Sequence, residues 1–192
     1  MAPLSIPQLI QNIAKGAGVP PSLALQVARQ ESSLNPNATG SKGEIGLFQL
    51  MPGTSAALGV TDPYDPVQNA QAGVGYLAQL YGQFGSWDAA LAAYNWGPQN
   101  VQNAMRTAGA GWLSLAPSST QSYVAGALAV SGVQPSPPPA AAPAPAAQAD
   151  QALPGSYVEY TSEAPAPAGP NLFVLALLGL GLYFGAQILF AE

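Results

Sequence analysis

The sequence predicts an all-α fold, in which one helical domain precedes a proline-rich linker and an apolar carboxy-terminal helix. Apolar residues recur at helical spacing through residues 1–133, and no run of alternating apolar and polar residues indicates a substantial sheet. Proline and alanine dominate residues 134–170, whereas residues 171–190 carry no charged side chain. Only the first region therefore has the composition to bury a core.

Capping residues and prolines divide this first region into helices. Ser5 suits the N-cap of a first helix, which lacks the basic and continuously apolar segments of a secretory signal peptide. A second helix begins near Pro20 and ends near Ser33, because its apolar residues follow a helical period. Further helices are expected at about residues 52–59, 66–84, 87–94, around 101–105 and at 120–130.

The helix that begins after Asp65 is the longest in this prediction. Aspartate followed by proline is a typical N-cap and first turn. Its apolar residues at helical spacing are expected to face the core along one side. They are Val67, Ala70, Val74, Leu77, Tyr81 and Phe84.

Composition excludes several classes of function. The chain contains no cysteine and no histidine, which excludes cysteine–histidine nucleophiles, serine–histidine triads and the usual zinc hydrolases. The four basic residues are too few to bind nucleic acid, and the net charge of the chain is −5. We therefore expect carboxylate chemistry without a metal or other cofactor.

Glu31 is the candidate for that chemistry. In the second helix it shares a face with Ala24, Val27 and Ala28, which lie seven, four and three residues before it. A carboxyl group on an apolar face is partly desolvated, so its pKa is expected to rise and it can hold a proton near neutral pH. Such a group can act as a general acid.

Three separated blocks then show a family resemblance. Residues 29–36 read RQESSLNP, residues 43–52 read GEIGLFQLMP, and residues 92–97 read AAYNWG. In order and spacing these blocks resemble the soluble lytic transglycosylase family. A weaker fourth block, residues 115–124, resembles the closing segment of that family, with Ser119 and Gln121 where a glutamate and an arginine are usual.

The resemblance implies a lysozyme-like helical fold and a reaction on peptidoglycan glycan strands. The family cleaves the β-1,4 bond between N-acetylmuramic acid and N-acetylglucosamine and leaves a 1,6-anhydromuramoyl end. By this resemblance Glu31 protonates the glycosidic oxygen, the acetamido group of the substrate stabilises the cationic centre, and Glu31 then accepts the proton of the sugar C6 hydroxyl.

The matched positions also imply substrate-binding residues. Gln49 and Tyr94 are expected beside Glu31, where they donate hydrogen bonds to the acetamido group or orient the carboxyl group. Ser32 and Asn95 are the next candidates, although Ser32 can instead bond its own helix and Asn95 can serve only to end one. Met51 occupies a family position in the cleft, but it can also be a core residue.

The sequence departs from the family pattern at several positions. Phe48 replaces the usual methionine and is either a cleft or a core residue, while Trp96 replaces a small residue and either stacks on a sugar or packs. Glu44 replaces a small residue, so a second carboxylate could activate water and make the enzyme a muramidase. We expect Glu44 to face solvent; other candidates for a second acid are Asp62, Asp65 and Asp88.

The carboxy-terminal apolar run predicts a membrane anchor. It begins at Leu172 and ends at Phe190, and as a helix at about 1.5 Å per residue it would span roughly 28 Å of a lipid bilayer. Gly181 and Gly185 have the spacing of a helix-pairing motif and could support a homodimer. The linker before it is rich in proline and alanine, favours an extended polyproline II conformation and separates the anchor from the domain.

The predicted cellular location depends on the position of the anchor and on the charges beside it. A carboxy-terminal anchor without an amino-terminal signal leaves the domain in the cytoplasm, away from peptidoglycan, and no Lys or Arg flanks the span to set its orientation. We therefore expect a phage protein in a virion membrane that degrades the wall locally during entry or lysis, with a bacterial envelope enzyme as the alternative. A non-catalytic glycan-binding or structural virion protein is the other alternative.

Overall fold

A computed structural model describes residues 4–134 of the chain, and these residues confirm the all-α prediction. Seven α-helices and one 3₁₀ helix follow one another without a strand in this part of the chain. The helices are α1 (Ile6–Gly16), α2 (Pro21–Ser32), α3 (Pro52–Ala57), α4 (Pro66–Phe84), α5 (Trp87–Trp96), α6 (Pro98–Ala108) and α7 (Ser118–Ser131), with the 3₁₀ helix at Gly109–Leu115.

The helix starts follow the predicted capping chemistry. The Asp65 carboxylate accepts hydrogen bonds from the N–H groups of Val67 and Gln68 at the start of α4. Ser86 accepts a bond from the N–H of Ala89 at the start of α5. At α1, the Gln8 side chain returns to accept the N–H of Ser5 at 3.0 Å. These caps fix where α1, α4 and α5 begin.

Helix α5 forms the centre of the domain. It packs against α4, α6 and α7, while α1 packs against α2 and α4, and α2 packs against α7. Residues 89–93 of α5 are all buried, four of them alanines, and their small side chains let the neighbouring helices approach closely. This central helix ends at Tyr94, Asn95 and Trp96, which places the third sequence block at the edge of the core.

The predicted stripe on α4 is wrong at two of its six positions. Val67 is 41% exposed and Tyr81 is 36% exposed, whereas the other four residues are buried. Val67 lies in the first turn, at the margin of the buried face. The Tyr81 ring stacks on Trp87 with ring centroids 4.0 Å apart, so it covers the start of α5 instead of entering the core.

The connection between α2 and α3 contains an irregular loop, residues 38–51, to which a buried side chain of α4 is bonded. Asn69 accepts the N–H of Phe48 at 2.8 Å and donates to the carbonyl oxygens of Ile45 and Pro63. A β-carbon at Gly46 would lie 2.3 Å from Asn69 Nδ2, and Gly46 has a φ of +81°, so only glycine fits this position. We call this segment the 38–51 loop.

The predicted linker and membrane anchor belong to the carboxy-terminal part of the chain. Within residues 4–134, no helix combines the length and apolarity needed to cross a membrane. The linker prediction, apart from Gln134, and the predicted anchor at 171–190, with Gly181 and Gly185, lie outside the described residues.

Candidate active site

Glu31 lies in the last turn of α2, where the 38–51 loop, α5 and α7 meet. Ala24, Val27 and Ala28 on the same face are fully buried, and Glu31 itself is partly buried. Burial raises the pKa of Glu31 above its ordinary value of 4.5, as its place on the apolar face predicted. The group is therefore suited to carry a proton at a pH where an exposed glutamate would be ionised.

Tyr123 of α7 is the direct partner of this carboxyl group. Its hydroxyl donates a hydrogen bond to Glu31 Oε1 at 2.7 Å, which by itself lowers the pKa of Glu31. Burial and the neighbouring Glu31 charge raise the pKa of Tyr123 well above its usual range, so the phenol stays a donor. The sequence predicted no role for Tyr123, although the fourth block, residues 115–124, contains it.

Glu44 approaches the site from the 38–51 loop. Its negative charge also raises the pKa of Glu31, after the effects of burial and of Tyr123. Its Oε2 accepts the N–H of Lys42 at 2.9 Å, and its own carbonyl oxygen accepts the N–H of Gly40. Glu44 is partly buried, so its side chain keeps part of the solvent exposure that the sequence predicted.

Gln49 is present at the site, but its amide donors are already used. Gln49 Nε2 donates to the carbonyl oxygens of Ala38 at 3.2 Å and Gly46 at 2.8 Å. The residue adopts a left-handed φ of +46°, which is unusual for a side chain larger than glycine. In this arrangement both Nε2 protons of Gln49 are taken and Oε1 remains as an acceptor, while its role in binding the acetamido group or orienting the Glu31 carboxyl group stays a prediction.

Tyr94 stands near Glu31 without bonding it. Its hydroxyl donates to the carbonyl oxygen of Phe48 at 2.8 Å, and its ring lies against Tyr76 with centroids 5.6 Å apart. Burial and, second, the charge of Glu31 raise the pKa of Tyr94 well above its usual range. Tyr94 therefore ties α5 to the 38–51 loop, and Tyr123 makes the hydrogen bond to the Glu31 carboxyl group; donation by Tyr94 to an acetamido group stays a prediction.

The other predicted binding residues have mixed positions. The Ser32 hydroxyl lies 3.1 Å from the carbonyl oxygen of Ala28, which is the bond to its own helix given above as the alternative interpretation. It also lies 2.9 Å from the carbonyl oxygen of Leu47, so the two carbonyls share its proton and Ser32 joins α2 to the 38–51 loop. Asn95 is exposed, and its Oδ1 accepts from the hydroxyl of Thr120 at 2.8 Å. Met51 is partly buried at the N-cap of α3.

The residues that depart from the family pattern and the other candidate acids also differ in their surroundings. Phe48 is fully buried against Gly73 and is a core residue, whereas Trp96 is partly buried and packs at the margin of the core. Asp62 accepts the N–H of Tyr64, and Asp65 caps α4. Asp88 lies in the first turn of α5, where its Oδ1 is buried without a hydrogen-bond partner in the described part of the chain.

Among these side chains, Glu31 is the acid whose raised pKa suits it to carry a proton. Glu31 is oriented by a neutral phenol from α7 and faces a second carboxylate, Glu44, from the 38–51 loop. An oriented, partly desolvated carboxyl group can donate a proton to a leaving oxygen and, once ionised, can accept one. The arrangement is thus suited to acid-catalysed cleavage of a glycosidic bond.

Comparison with known proteins agrees with this chemistry. Residues 8–112 match the family model described as "Transglycosylase SLT domain". A transglycosylase of Enterobacteria phage PRD1 is 40% identical over 87 residues, which are 45% of this chain and 33% of that protein. The soluble lytic murein transglycosylase of Escherichia coli strain K12 is 37% identical over 111 residues, covering 52% of this chain and 17% of that enzyme.

A solved structure extends the likeness to the fold. The crystal structure of the 70 kDa soluble lytic transglycosylase from Escherichia coli matches with a TM-score of 0.60 and 32% identity, covering 67% of this chain and 24% of that one. The chain thus spans a third or less of these relatives. The lysozyme-like helical fold expected from the sequence blocks is confirmed for the matched region. Because the family model covers more than half of the sequence, the chain belongs to the transglycosylase SLT domain family.

Proposed function

We propose that the protein is a peptidoglycan lytic transglycosylase in which Glu31 is the catalytic acid. It cleaves the β-1,4 bond between N-acetylmuramic acid and N-acetylglucosamine and leaves a 1,6-anhydromuramoyl end. The observation that carries this proposal is the setting of Glu31, a partly buried carboxyl group with a raised pKa and a single oriented hydrogen bond from Tyr123. An acid of this kind is protonated when the reaction begins.

The proposed reaction has two steps. In the first, the Glu31 proton moves to the glycosidic oxygen, the bond from that oxygen to the anomeric carbon breaks, and the acetamido oxygen bonds to the anomeric carbon. In the second, the C6 hydroxyl oxygen displaces the acetamido oxygen and its proton moves to a carboxylate. Glu31 is ionised at that moment and is the acceptor that the family resemblance implies.

The neighbouring residues would hold the glycan and the loop around it. Asn95 uses its Oδ1 for Thr120 and would donate from Nδ2 to a sugar or acetamido oxygen, and Met51 would offer apolar contact at the start of α3. Ser32 and Tyr94 act by holding the 38–51 loop against α2 and α5. Gln49 contributes its acceptor oxygen to the same surface.

Replacing Glu31 with Gln tests the proposal. The variant keeps the shape of the side chain and an oxygen that accepts from Tyr123, but it has no proton to give. We expect release of anhydro-ended muropeptides from purified peptidoglycan by the full chain to fall by about 10²–10⁴-fold, as measured by mass spectrometry. An unfolding curve close to that of the parent shows that the fold is retained. Release at the parental rate would contradict the assignment of Glu31.

We further propose that the domain formed by residues 1–133 is attached to a membrane. Residues 134–170 would form the linker and residues 171–190 the anchor, with Gly181 and Gly185 as a pairing surface for a homodimer. A phage transglycosylase is among the relatives, which supports a role in local wall degradation from a virion membrane during entry or lysis. A bacterial envelope is the alternative location.

Flotation of the full chain with lipid vesicles tests the anchor. Deletion of residues 171–192 should abolish co-flotation, whereas Glu31→Gln should leave it unchanged. Immunogold labelling of virions then tests the location, because labelling confined to host envelopes would contradict the virion hypothesis.

A further inference from the structure

Tyr76 of α4 carries a hydroxyl group that the described part of the chain leaves unused. Within residues 4–134 this hydroxyl makes no hydrogen bond, and burial of the residue raises the pKa of Tyr76. The fully buried side-chain atoms without a partner in these residues are Ser55 Oγ and Asp88 Oδ1. The Tyr76 hydroxyl is not one of them, so it reaches solvent although the residue is partly buried.

Two other tyrosines near the site use their hydroxyl groups within the protein. That of Tyr94 donates to the carbonyl oxygen of Phe48 at 2.8 Å, and that of Tyr123 donates to Glu31 Oε1 at 2.7 Å. The Tyr76 ring lies against the Tyr94 ring, with centroids 5.6 Å apart and an angle of 49° between the planes. Of these three phenols, Tyr76 is therefore the one whose proton is available to a ligand.

The backbone of α4 fixes where this hydroxyl lies. Gly73 is one turn before Tyr76 and shares a face of the helix with it. A β-carbon placed on Gly73 would lie 2.3 Å from Phe48 Cγ, so α4 packs directly against Phe48. The carbonyl oxygen of Phe48 is in turn the partner of Tyr94 on α5. Tyr76 therefore lies where α4, α5 and the 38–51 loop meet.

The same stretch of the loop is bonded to the residue after the proposed acid. The Tyr94 hydroxyl bonds the carbonyl oxygen of Phe48, and the Ser32 hydroxyl bonds the carbonyl oxygen of Leu47, the residue before it. Ser32 directly follows Glu31 in α2. Two consecutive peptide units thus connect the tyrosine pair to the turn that carries Glu31. The free hydroxyl of Tyr76 therefore belongs to the same site, on the side formed by α4 and α5.

The surroundings favour a neutral acceptor as the ligand of this hydroxyl. A phenol whose pKa is raised stays protonated and donates. Glu44 brings a negative charge to the site, which would repel a carboxylate on the ligand. On a glycan strand, the strongest neutral acceptors are the carbonyl oxygens of the acetamido groups. The acetamido oxygen of the reacting muramic acid residue must stay free to bond the anomeric carbon, which leaves those of N-acetylglucosamine.

We propose that the Tyr76 hydroxyl donates a hydrogen bond to the acetamido carbonyl oxygen of an N-acetylglucosamine residue in the bound glycan. The inference rests on the proposed function, because it names a substrate contact of the same site. This acetamido group takes no part in bond breaking, so the hydrogen bond is equally strong in the bound substrate and in the transition state. Tyr76 is thus a substrate-binding residue that lowers the KM and leaves kcat unchanged.

Tyr76→Phe in the full chain tests this contact with soluble, uncross-linked peptidoglycan strands. We expect the KM to rise by about three- to tenfold, the loss of one hydrogen bond, while kcat changes by less than about twofold. The free energy of unfolding should stay at the parental value, because no hydrogen bond within residues 4–134 is lost. Tyr81→Phe, which removes the hydroxyl of an exposed tyrosine on the same helix, is the matched control and keeps both constants. A parental KM in Tyr76→Phe would overturn the inference.

Tyr94→Phe distinguishes a ligand contact from a structural one. It loses the bond to the carbonyl oxygen of Phe48, so it should be less stable than the parent, whereas Tyr76→Phe should not. A loss of stability in Tyr76→Phe as large as that in Tyr94→Phe would show that its hydroxyl serves the fold, and would overturn the proposed role.

The substrate can be changed as well as the enzyme. On strands whose N-acetylglucosamine residues have lost their acetyl groups, the parent and Tyr76→Phe should have the same KM, because the acceptor is missing for both. Effects of the missing acetyl groups that do not involve Tyr76 cancel in this comparison. The same rise in KM on both substrates would overturn the assignment to an acetamido group.

Binding without turnover separates this inference from the proposed function. Glu31→Gln with the Tyr76→Phe substitution should bind sedimented peptidoglycan about three- to tenfold more weakly than Glu31→Gln alone. A parental chain that releases no anhydro ends while this difference persists would overturn the proposed function but not the contact. Equal binding by the two variants, with anhydro ends still released by the parent, would overturn the contact alone.

Discussion

The two sides of Glu31 influence its acidity in opposite directions. On one side, α7 contributes a neutral phenol, Tyr123, whose direct hydrogen bond lowers the pKa of the carboxyl group. On the other side, the 38–51 loop contributes Glu44, whose charge raises it. Burial in the domain is the largest effect and also raises it. The strength of the acid therefore depends on two segments that can be changed separately.

Asn69→Ala should release the 38–51 loop from α4 and have the largest effect of these substitutions on stability. Asn69 is fully buried and makes three hydrogen bonds that involve Phe48, Ile45 and Pro63. Its loss leaves buried backbone groups unpaired, so we expect about 3 kcal/mol of destabilisation in chemical unfolding. Activity should fall at least tenfold under conditions where the variant is still folded.

Gln71→Ala is the matched control on the same helix, because Gln71 is exposed. It should change the free energy of unfolding by less than about 0.5 kcal/mol. Equal stability of the two variants would mean that Asn69 does not hold the loop.

Tyr123→Phe should remove the hydrogen bond from α7 to Glu31 and have an intermediate effect. Without the donated hydrogen bond, the pKa of Glu31 rises further, so the alkaline limb of the pH–rate profile moves to higher pH. Glu44→Gln moves the same limb to lower pH, because a negative charge is lost. Turnover of Tyr123→Phe at low pH should also fall by about tenfold, or ~1.4 kcal/mol, since the carboxyl group is no longer oriented.

Tyr81→Phe is the matched control, because it removes a hydroxyl group from an exposed tyrosine near the end of α4. It should leave the pH–rate profile unchanged. Shifts of the limb in the same direction for Tyr123→Phe and Glu44→Gln would contradict the opposing roles of the two sides.

Glu31→Gln should have the smallest effect when stability is measured instead of activity. Because the folded-state pKa of Glu31 is raised, the folded protein binds the proton more tightly than the unfolded chain does. Stability of the parent is then lost as pH rises from about the ordinary value of 4.5 through the folded pKa. Thermal unfolding should show Glu31→Gln more stable than the parent at neutral pH, with the difference shrinking below that value. An advantage that persists at low pH would argue against this cause.

Sequence patterns predicted the features that depend on neighbouring residues along the chain. The Asp65 cap, the starts of the helices and the apolar face that carries Glu31 all follow from spacing within one or two turns. The exposure of Tyr81 was not predictable in this way, because it depends on the ring of Trp87, which belongs to the next helix.

The partners in the site depend on contacts between distant parts of the chain. Tyr123 lies 92 residues from Glu31, and spacing alone cannot distinguish it from Tyr94, which belongs to a more familiar block. The orientation of the Gln49 amide depends on Ala38, 11 residues away and across an irregular turn. Local periodicity carries no information on either contact, whereas it identified Glu31 correctly as a partly buried carboxyl group.

The left-handed backbone at Gln49 has a consequence for the cost of binding. A residue other than glycine in this region is less stable by about 1–2 kcal/mol, and here its own side chain offsets that cost through two bonds to the loop backbone. The loop therefore takes its shape when the domain folds, before any glycan arrives. Its conformational entropy is lost during folding, so a glycan bound as proposed above would keep more of its contact energy as affinity.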